Sequence, residues 1–74
     1  MNATHYDPDK LVQARELRGE TQQQIADALN VDRQTIYRAE QGKSISYELL
    51  AKLCGYYSIP MVNILKPIDS LAAA

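Results

Sequence analysis

The 74-residue sequence contains no Trp or Phe, a single Cys and a single His. One Cys excludes an internal disulfide framework and leaves too few thiolates for a Cys-based metal site. No signal-peptide core and no apolar run long enough to span a bilayer is present, so we expect a cytoplasmic protein without a membrane partner. In the absence of Phe and Trp, the core must consist of Leu, Ile, Val and Ala, with help from five Tyr.

The sequence also has few of the groups that catalysis requires. His5 has no second His to act with, Cys54 falls within an apolar helical pattern, and the carboxylates are not clustered. No glycine-rich phosphate loop is present. We therefore expect neither an enzyme nor a site for a cofactor, a metal ion or a small-molecule ligand.

Positive charge is scarce overall, since the formal net charge is −1. Its distribution is uneven: residues 1–32 carry three basic and six acidic residues, residues 33–43 carry three basic and one acidic, and residues 44–74 carry two of each. The only positive segment is therefore 33–43. We expect weak non-specific binding to nucleic acid, because non-specific affinity comes from contacts between basic side chains and phosphates, and this sequence has few basic residues.

The most informative stretch, residues 21–42, reads TQQQIADALNVDRQTIYRAEQG. Thr21 followed three residues later by Gln24 is a capping-box pattern, which predicts a helix that begins at Gln22. The inner face of this helix is expected to consist of Ile25, Ala26 and Leu29.

A second helix is predicted directly after the first. Asn30 tolerates the left-handed conformation that ends a helix, and Asp32 is a suitable N-cap for a helix over residues 33–41. Gly42 follows as the residue after the C-cap. The buried face of this second helix should contain Ile36 with either Ala39 or Glu40. Two short helices joined by about three residues form a helix-turn-helix pattern.

The outward side of the second helix carries long planar donors and one aromatic ring, but no acid: Arg33, Gln34, Tyr37, Arg38 and Gln41. Arg forms bidentate hydrogen bonds with guanine and Gln with adenine in the major groove of DNA. These residue types favour a helix that contacts base edges.

The stretch resembles the helix-turn-helix of the Cro/C1-type (XRE) family of phage and bacterial DNA-binding regulators, over about residues 11–65. The matching residues are Thr21-Gln22, Ala26, Ile36, Glu40 and Gly42. Asn30 stands where the family usually has Gly, and Ala39 where a larger apolar residue is common. The resemblance implies an all-α fold, a compact five-helix lambda-repressor-like DNA-binding domain with the helix-turn-helix formed by helices 2 and 3.

The resemblance also implies roles for single residues. DNA bases would be contacted by Arg33, Gln34 and Arg38. The DNA backbone or auxiliary positions would be contacted by Gln22, Thr35, Tyr37, Lys43 and Ser44. An ordinary solvated turn is an equally good interpretation of Ser44. Arg15 is either a solvated helix residue or the partner of Glu40, and the resemblance favours a structural ion pair, since a carboxylate on the inner side of a helix needs a partner.

Outside this motif, residues 1–7 show no periodic pattern and are expected to form a flexible N-terminal arm. Residues 8–65 would be one domain and residues 66–74 a C-terminal tail. Asp7 with Pro8 predicts the start of helix 1, whose inner face would consist of Leu11, Val12, Ala14 and Leu17.

Helix 4 shows the clearest amphipathic pattern, capped by Ser46 and interrupted by Gly55 near its end. Its apolar stripe consists of Leu49, Leu50, Leu53, Cys54 and Tyr57. A short fifth helix is predicted over residues 61–65, with Pro60 in its first turn.

The C-terminal end of the domain carries more apolar residues than so small a core can bury. Such a surplus usually marks an interface, and relatives of this size in the resembled family commonly dimerise through this end. The predicted dimer interface consists of Tyr56, Ile59, Met61, Val62 and Leu65. A two-fold dimer would place two recognition helices about 34 Å apart, one turn of DNA.

Two hypotheses follow. The first is a sequence-specific regulator of transcription, a repressor that binds double-stranded DNA as a homodimer on a short pseudo-palindromic operator. The alternative is a protein-interaction module, antitoxin-like or an adaptor, that retains the helix-turn-helix fold. The net negative charge and the apolar C-terminal end support the alternative.

Overall fold

A computed structural model of the chain describes residues 2–65, which form five helices and two short strands. In chain order these are β1 (Asn2–Ala3), α1 (Pro8–Leu17), α2 (Gln22–Leu29), α3 (Arg33–Glu40), β2 (Ile45–Ser46), α4 (Tyr47–Tyr57) and α5 (Met61–Ile64). The predicted five-helix, helix-turn-helix fold is confirmed. The tail predicted over residues 66–74 lies outside the described residues.

The N-terminal segment differs from the flexible arm that was expected. β1 and β2 pair antiparallel, with Ala3 opposite Ile45. Tyr6 is buried, and the Asp7 N–H donates to the carbonyl of Ile64 at 2.7 Å. The N-terminal segment is therefore held against the domain, with Ala3 and Tyr6 buried in the core and Thr4 and His5 exposed between them.

Side-chain caps fix the helix starts where the sequence places them. The Thr21 hydroxyl accepts from the Gln24 N–H at 3.1 Å, while the Gln24 amide oxygen accepts from the Thr21 N–H at 2.8 Å. This confirms the capping box. Asp7 caps α1 and Ser46 caps α4, whereas Asp32 occupies the N-cap position of α3 without a side-chain hydrogen bond.

The first four helices each end at a left-handed residue. These residues are Gly19, Asn30, Gly42 and Ser58, with φ between 58° and 79°. Ser58, rather than Gly55, therefore ends α4, and Gly55 lies inside a continuous helix. Pro60 is the N-cap of α5 and not part of its first turn, and α5 stops at Ile64, one residue earlier than predicted.

The core lies where α1, α2, α3 and α4 meet, and Cys54 belongs to it as predicted. Both inner-face alternatives for α3 are correct, because Ala39 is buried and only 5% of the Glu40 side chain is exposed. The buried apolar residues are Ala3, Tyr6, Leu11, Ile25, Ala26, Ile36, Ala39, Ile45, Leu49, Leu50, Leu53, Cys54 and Ile64.

Leu17 is not on the inner face of α1 as predicted, since it is 89% exposed. At about 100° per residue, a position six residues after Leu11 lies about 120° around the helix. Arg15 and Arg18, four and seven residues after Leu11, return to the inner side instead. Arg15 contacts Glu40 of α3, and the Arg18 guanidinium lies over the Tyr56 ring of α4.

Candidate nucleic-acid interface

The outward face of α3 is formed by residues at spacings i, i+1, i+4 and i+5. Arg33, Gln34, Tyr37 and Arg38 are all exposed on it. Ile36 and Ala39 lie fully buried beneath this face, so the helix is anchored on one side and free on the other. Its free side presents two guanidinium groups, an amide and a phenol, which are donors suited to base edges.

A groove of about 300 Å³ runs between α3 and the start of α4. Thr35 and Arg38 line it from α3, and Ser44 lines it from the loop that follows. Lys52 of α4 adds a second cation, although Glu48 places one acid at the same groove. Lys52 is not among the interface residues that the sequence predicts. Nothing in the sequence distinguishes it, because a Lys beside an apolar stripe is common on amphipathic helices.

The turn after α3 sets the direction in which Lys43 leaves the helix. The Gly42 N–H donates to the carbonyl of Ala39 and the Lys43 N–H to that of Arg38, both at 3.2 Å. This is the Schellman closure, with Gly42 supplying the left-handed residue. The exposed Lys43 thus lies at the edge of the α3 face, where its backbone is hydrogen-bonded to that of Arg38.

Arg15 and Glu40 join α1 to α3. Arg15 Nε lies 2.7 Å and Nη2 3.1 Å from the two carboxylate oxygens of Glu40. The amide nitrogen of Gln22, at the start of α2, donates to the same carboxylate at 2.9 Å. Hydrogen bonding to Glu40 raises the pKa of Arg15. The three side chains together join α1, α2 and α3 at one point.

Gln22 therefore has a structural contact in addition to its predicted phosphate contact. Its amide nitrogen carries two hydrogens, of which one is donated to Glu40. The second hydrogen remains for an acceptor outside the chain. A contact with Glu40 and a contact with phosphate are thus compatible for the same side chain.

A second polar cluster ties the α1–α2 connection to α4. The Tyr56 hydroxyl donates to one carboxylate oxygen of Glu20 at 2.7 Å, and Arg18 Nε donates to the other at 2.7 Å. The Arg18 guanidinium also lies 4.5 Å from the centre of the Tyr56 ring. The hydrogen bond from Tyr56, followed by that from Arg18, lowers the pKa of Glu20.

The five residues of the predicted dimer interface divide into two groups. Tyr56, Ile59 and Met61 are partly buried against the chain's own core, and Tyr56 also binds Glu20. Val62 and Leu65 remain 78% and 39% exposed. The apolar surface that is free at this end therefore lies on and just after α5.

The described residues 2–65 include neither a candidate membrane span nor a candidate metal site. No described helix is long and apolar enough to cross a membrane. Within the same residues, no three side chains of the types His, Cys, Asp and Glu lie together in a way that would hold a metal ion.

The fold and the exposed donor face define a helix-turn-helix protein. A family model for helix-turn-helix domains (HTH_3) matches residues 11–63, and the chain belongs to this family. This confirms the resemblance to Cro/C1-type (XRE) proteins and places the chain among DNA-binding helix-turn-helix regulators. No curated protein and no solved structure gave a significant match.

Proposed function

We propose that the protein is a sequence-specific regulator that binds double-stranded DNA as a homodimer on a short pseudo-palindromic operator. The observation that carries this proposal is the outward face of α3, where Arg33, Gln34 and Arg38 are exposed above the buried Ile36. A helix held in this way can enter the major groove without losing contacts to its own domain.

Base contacts are assigned to Arg33, Gln34 and Arg38, because their side chains provide the bidentate donors and acceptors that distinguish base pairs. The contacts that set the position on the duplex come from the edges of the same face. These are assigned to Gln22, Thr35, Tyr37, Lys43 and Ser44, with Lys52 added from the groove beside α3.

A dimer is supported by the size of one α3 helix and by the free apolar surface of α5. One helix of eight residues reaches only a few base pairs, so two copies one helical turn apart gain specificity through a second half-site. Val62 and Leu65 present apolar area at the end of the domain. The partly buried Tyr56, Ile59 and Met61 would complete the proposed interface.

We propose repression rather than activation, in the cytoplasm of a bacterial or phage-infected cell. A dimer bound across a promoter excludes the polymerase by occupying the DNA, and this requires no surface besides the one that binds DNA. Activation would require a further contact with the polymerase.

The test is fluorescence anisotropy of the purified protein on a randomised duplex pool and on sites selected from it, at several salt concentrations. We expect tight binding to a selected pseudo-palindrome, weaker binding to the pool and a steep fall in affinity with salt. Equal binding to all duplexes would contradict sequence recognition.

A protein-interaction module is the second candidate, because Leu17 and Val62 are exposed apolar residues and the net charge is negative. An apolar protein interface responds little to salt, whereas DNA binding responds steeply. A shallow salt dependence without a preferred duplex would favour this candidate over the regulator.

A further inference from the structure

The hydroxyl group of Tyr6 lies between two backbone carbonyls at the carboxyl end of α3. It is 2.8 Å from the carbonyl oxygen of Ala39 and 2.6 Å from that of Lys43, and its single proton is shared between them. We call this arrangement the Tyr6 clamp. The two carbonyls are 33 and 37 residues from Tyr6 in sequence, so the clamp joins the N-terminal segment to the end of the recognition helix.

The segment that carries Tyr6 is itself held on both sides. Ala3 pairs with Ile45 in the two-stranded ladder, and the Asp7 N–H donates to Ile64. The Tyr6 side chain is 3% exposed, and burial raises the pKa of its hydroxyl. At neutral pH the hydroxyl therefore keeps its proton and acts as a hydrogen-bond donor that is fixed in position.

The clamp acts on the turn that follows α3. Gly42 has φ of 79°, and a glycine at such a turn has the largest conformational freedom to lose. The carbonyl of Ala39 also accepts from Gly42, but the carbonyl of Lys43 lies beyond the last closing bond of α3. By holding the carbonyl of Lys43, the Tyr6 hydroxyl fixes the orientation of the peptide group between Lys43 and Ser44. It thereby also limits the direction in which the Lys43 side chain points from the backbone.

We propose that Tyr6 is a positioning residue for the DNA interface, which holds Lys43 and the end of α3 in the orientation that meets a phosphate. This inference deepens the proposed function and rests on it. A Tyr6 that served only to fill the core would act through its ring, whereas the positioning role requires its hydroxyl.

The test compares Tyr6→Phe with the native chain, with Lys43→Ala and with the double variant. The matched control is Tyr57→Phe, which removes the same atoms from a buried hydroxyl that has no hydrogen-bond partner among residues 2–65. Affinity for a duplex selected by the native chain is measured against salt concentration. Amide hydrogen exchange of the free proteins is followed at a temperature well below unfolding.

We expect Tyr6→Phe to weaken binding by about threefold to tenfold, the range for one hydrogen bond. The slope of log affinity against log salt should become shallower by up to about 0.9, as for one lost phosphate contact. Adding Tyr6→Phe to Lys43→Ala should change the slope little further. Exchange of the Gly42 and Lys43 amides should accelerate in Tyr6→Phe but not in Tyr57→Phe. The Tyr57→Phe variant should match the native chain in DNA affinity and in salt slope.

Three outcomes would overturn the inference. Native affinity and slope in Tyr6→Phe would show that the hydroxyl does not position the interface. If the losses of binding free energy in Tyr6→Phe and Lys43→Ala added up in the double variant, Tyr6 would not act through Lys43. Faster amide exchange throughout the domain in Tyr6→Phe would indicate a structural role only. If the native chain prefers no duplex over the pool, the proposed function itself fails, which is seen before any variant is compared.

Discussion

Arg15 of α1 and Glu40 of α3 form a two-point ion pair, with Nε 2.7 Å and Nη2 3.1 Å from the two carboxylate oxygens. The Glu40 side chain is only 5% exposed and that of Arg15 17%, so both charges depend on the contact. The pair holds the inner side of α3, while the opposite side is exposed. The orientation of α3 therefore depends on a polar contact as well as on apolar packing.

Arg15→Met should destabilise the domain. Loss of the guanidinium leaves the Glu40 carboxylate buried with only Gln22 as a partner, and breaking such a pair costs roughly 3 kcal/mol. The free energy of unfolding is measured in urea at pH 7. Arg18→Met is the control, since the Arg18–Glu20 pair is more exposed and should contribute much less to stability. Equal losses in both variants would contradict a special role for Arg15.

Val62→Glu should disrupt the proposed homodimer without unfolding the domain. Val62 is exposed in the single chain, so the charge is harmless there, but in an apolar interface an unpaired carboxylate is strongly unfavourable. Sedimentation should show a monomer, and binding to a two-half-site duplex should weaken. Leu17→Glu is the control, because Leu17 is also strongly exposed, at 89% against 78% for Val62, but lies outside the predicted interface. A monomer from Leu17→Glu and a dimer from Val62→Glu would move the interface to α1.

Arg33→Ala and Lys43→Ala should affect DNA binding in different ways. Removing a bidentate base contact costs roughly 1 to 3 kcal/mol and relaxes the preference at one base pair, so the Arg33 variant should lose selectivity. Removing a phosphate contact weakens all sequences alike and lowers the salt slope by about 1, as expected for Lys43. Binding to a panel of duplexes with single base-pair changes measures both. Equal losses on every duplex for Arg33→Ala would exclude its contact with bases.

Ser58→Gly should stabilise the domain, because Ser58 ends α4 with φ of 59°, a conformation that costs a non-glycine residue about 1 kcal/mol. Gly42→Ala should have the opposite effect. Gly42 has φ of 79°, and an added Cβ would lie 3.3 Å from Pro8 Cγ. Thermal unfolding of both variants measures the two effects. A lower melting temperature for Ser58→Gly would mean that its hydroxyl contributes a contact that outweighs the strain.

Local sequence signals predicted the local features of the fold. The capping box at Thr21 and the left-handed Asn30 depend on residues within one helical turn, and both are present. The Arg15–Glu40 contact was expected from a family resemblance, because no local pattern links residues 25 positions apart. No sequence signal marks Ser58 as a left-handed residue, because Gly, here Gly55, is the residue type that usually ends a helix.

Long-range contacts account for the main differences. Tyr6 lies in a segment without periodicity, and its hydroxyl donates to two carbonyls that are 33 and 37 residues away in sequence and come close to it only in the folded chain. Leu17 was assigned to the core by residue type, although its angle around α1 favours solvent. The same limit applies to the groove beside α3, where Lys52 joins Arg38 only through the packing of α4.

Tyr57→Phe should stabilise the domain, and the gain should grow at alkaline pH. The Tyr57 hydroxyl is buried without a hydrogen-bond partner among residues 2–65, and such a group costs about 1 kcal/mol or more. Burial, assisted by the charge of Glu40, raises the pKa of Tyr57 to about 12 from 10.0. The native chain keeps its full stability below pH 10 and loses part of it up to pH 12, because the unfolded chain releases this proton first.

Urea unfolding of both proteins at pH 8 and at pH 11 measures the two effects of Tyr57→Phe. Burial also raises the pKa of Tyr6, so the variant should retain a smaller alkaline loss than the native chain. A variant that is less stable than the native chain at pH 8 would show that the Tyr57 hydroxyl has a partner, such as a buried water between it and the Arg15–Glu40 pair. If the variant exceeded the native chain in unfolding free energy by the same amount at pH 8 and at pH 11, the raised pKa of Tyr57 would be contradicted.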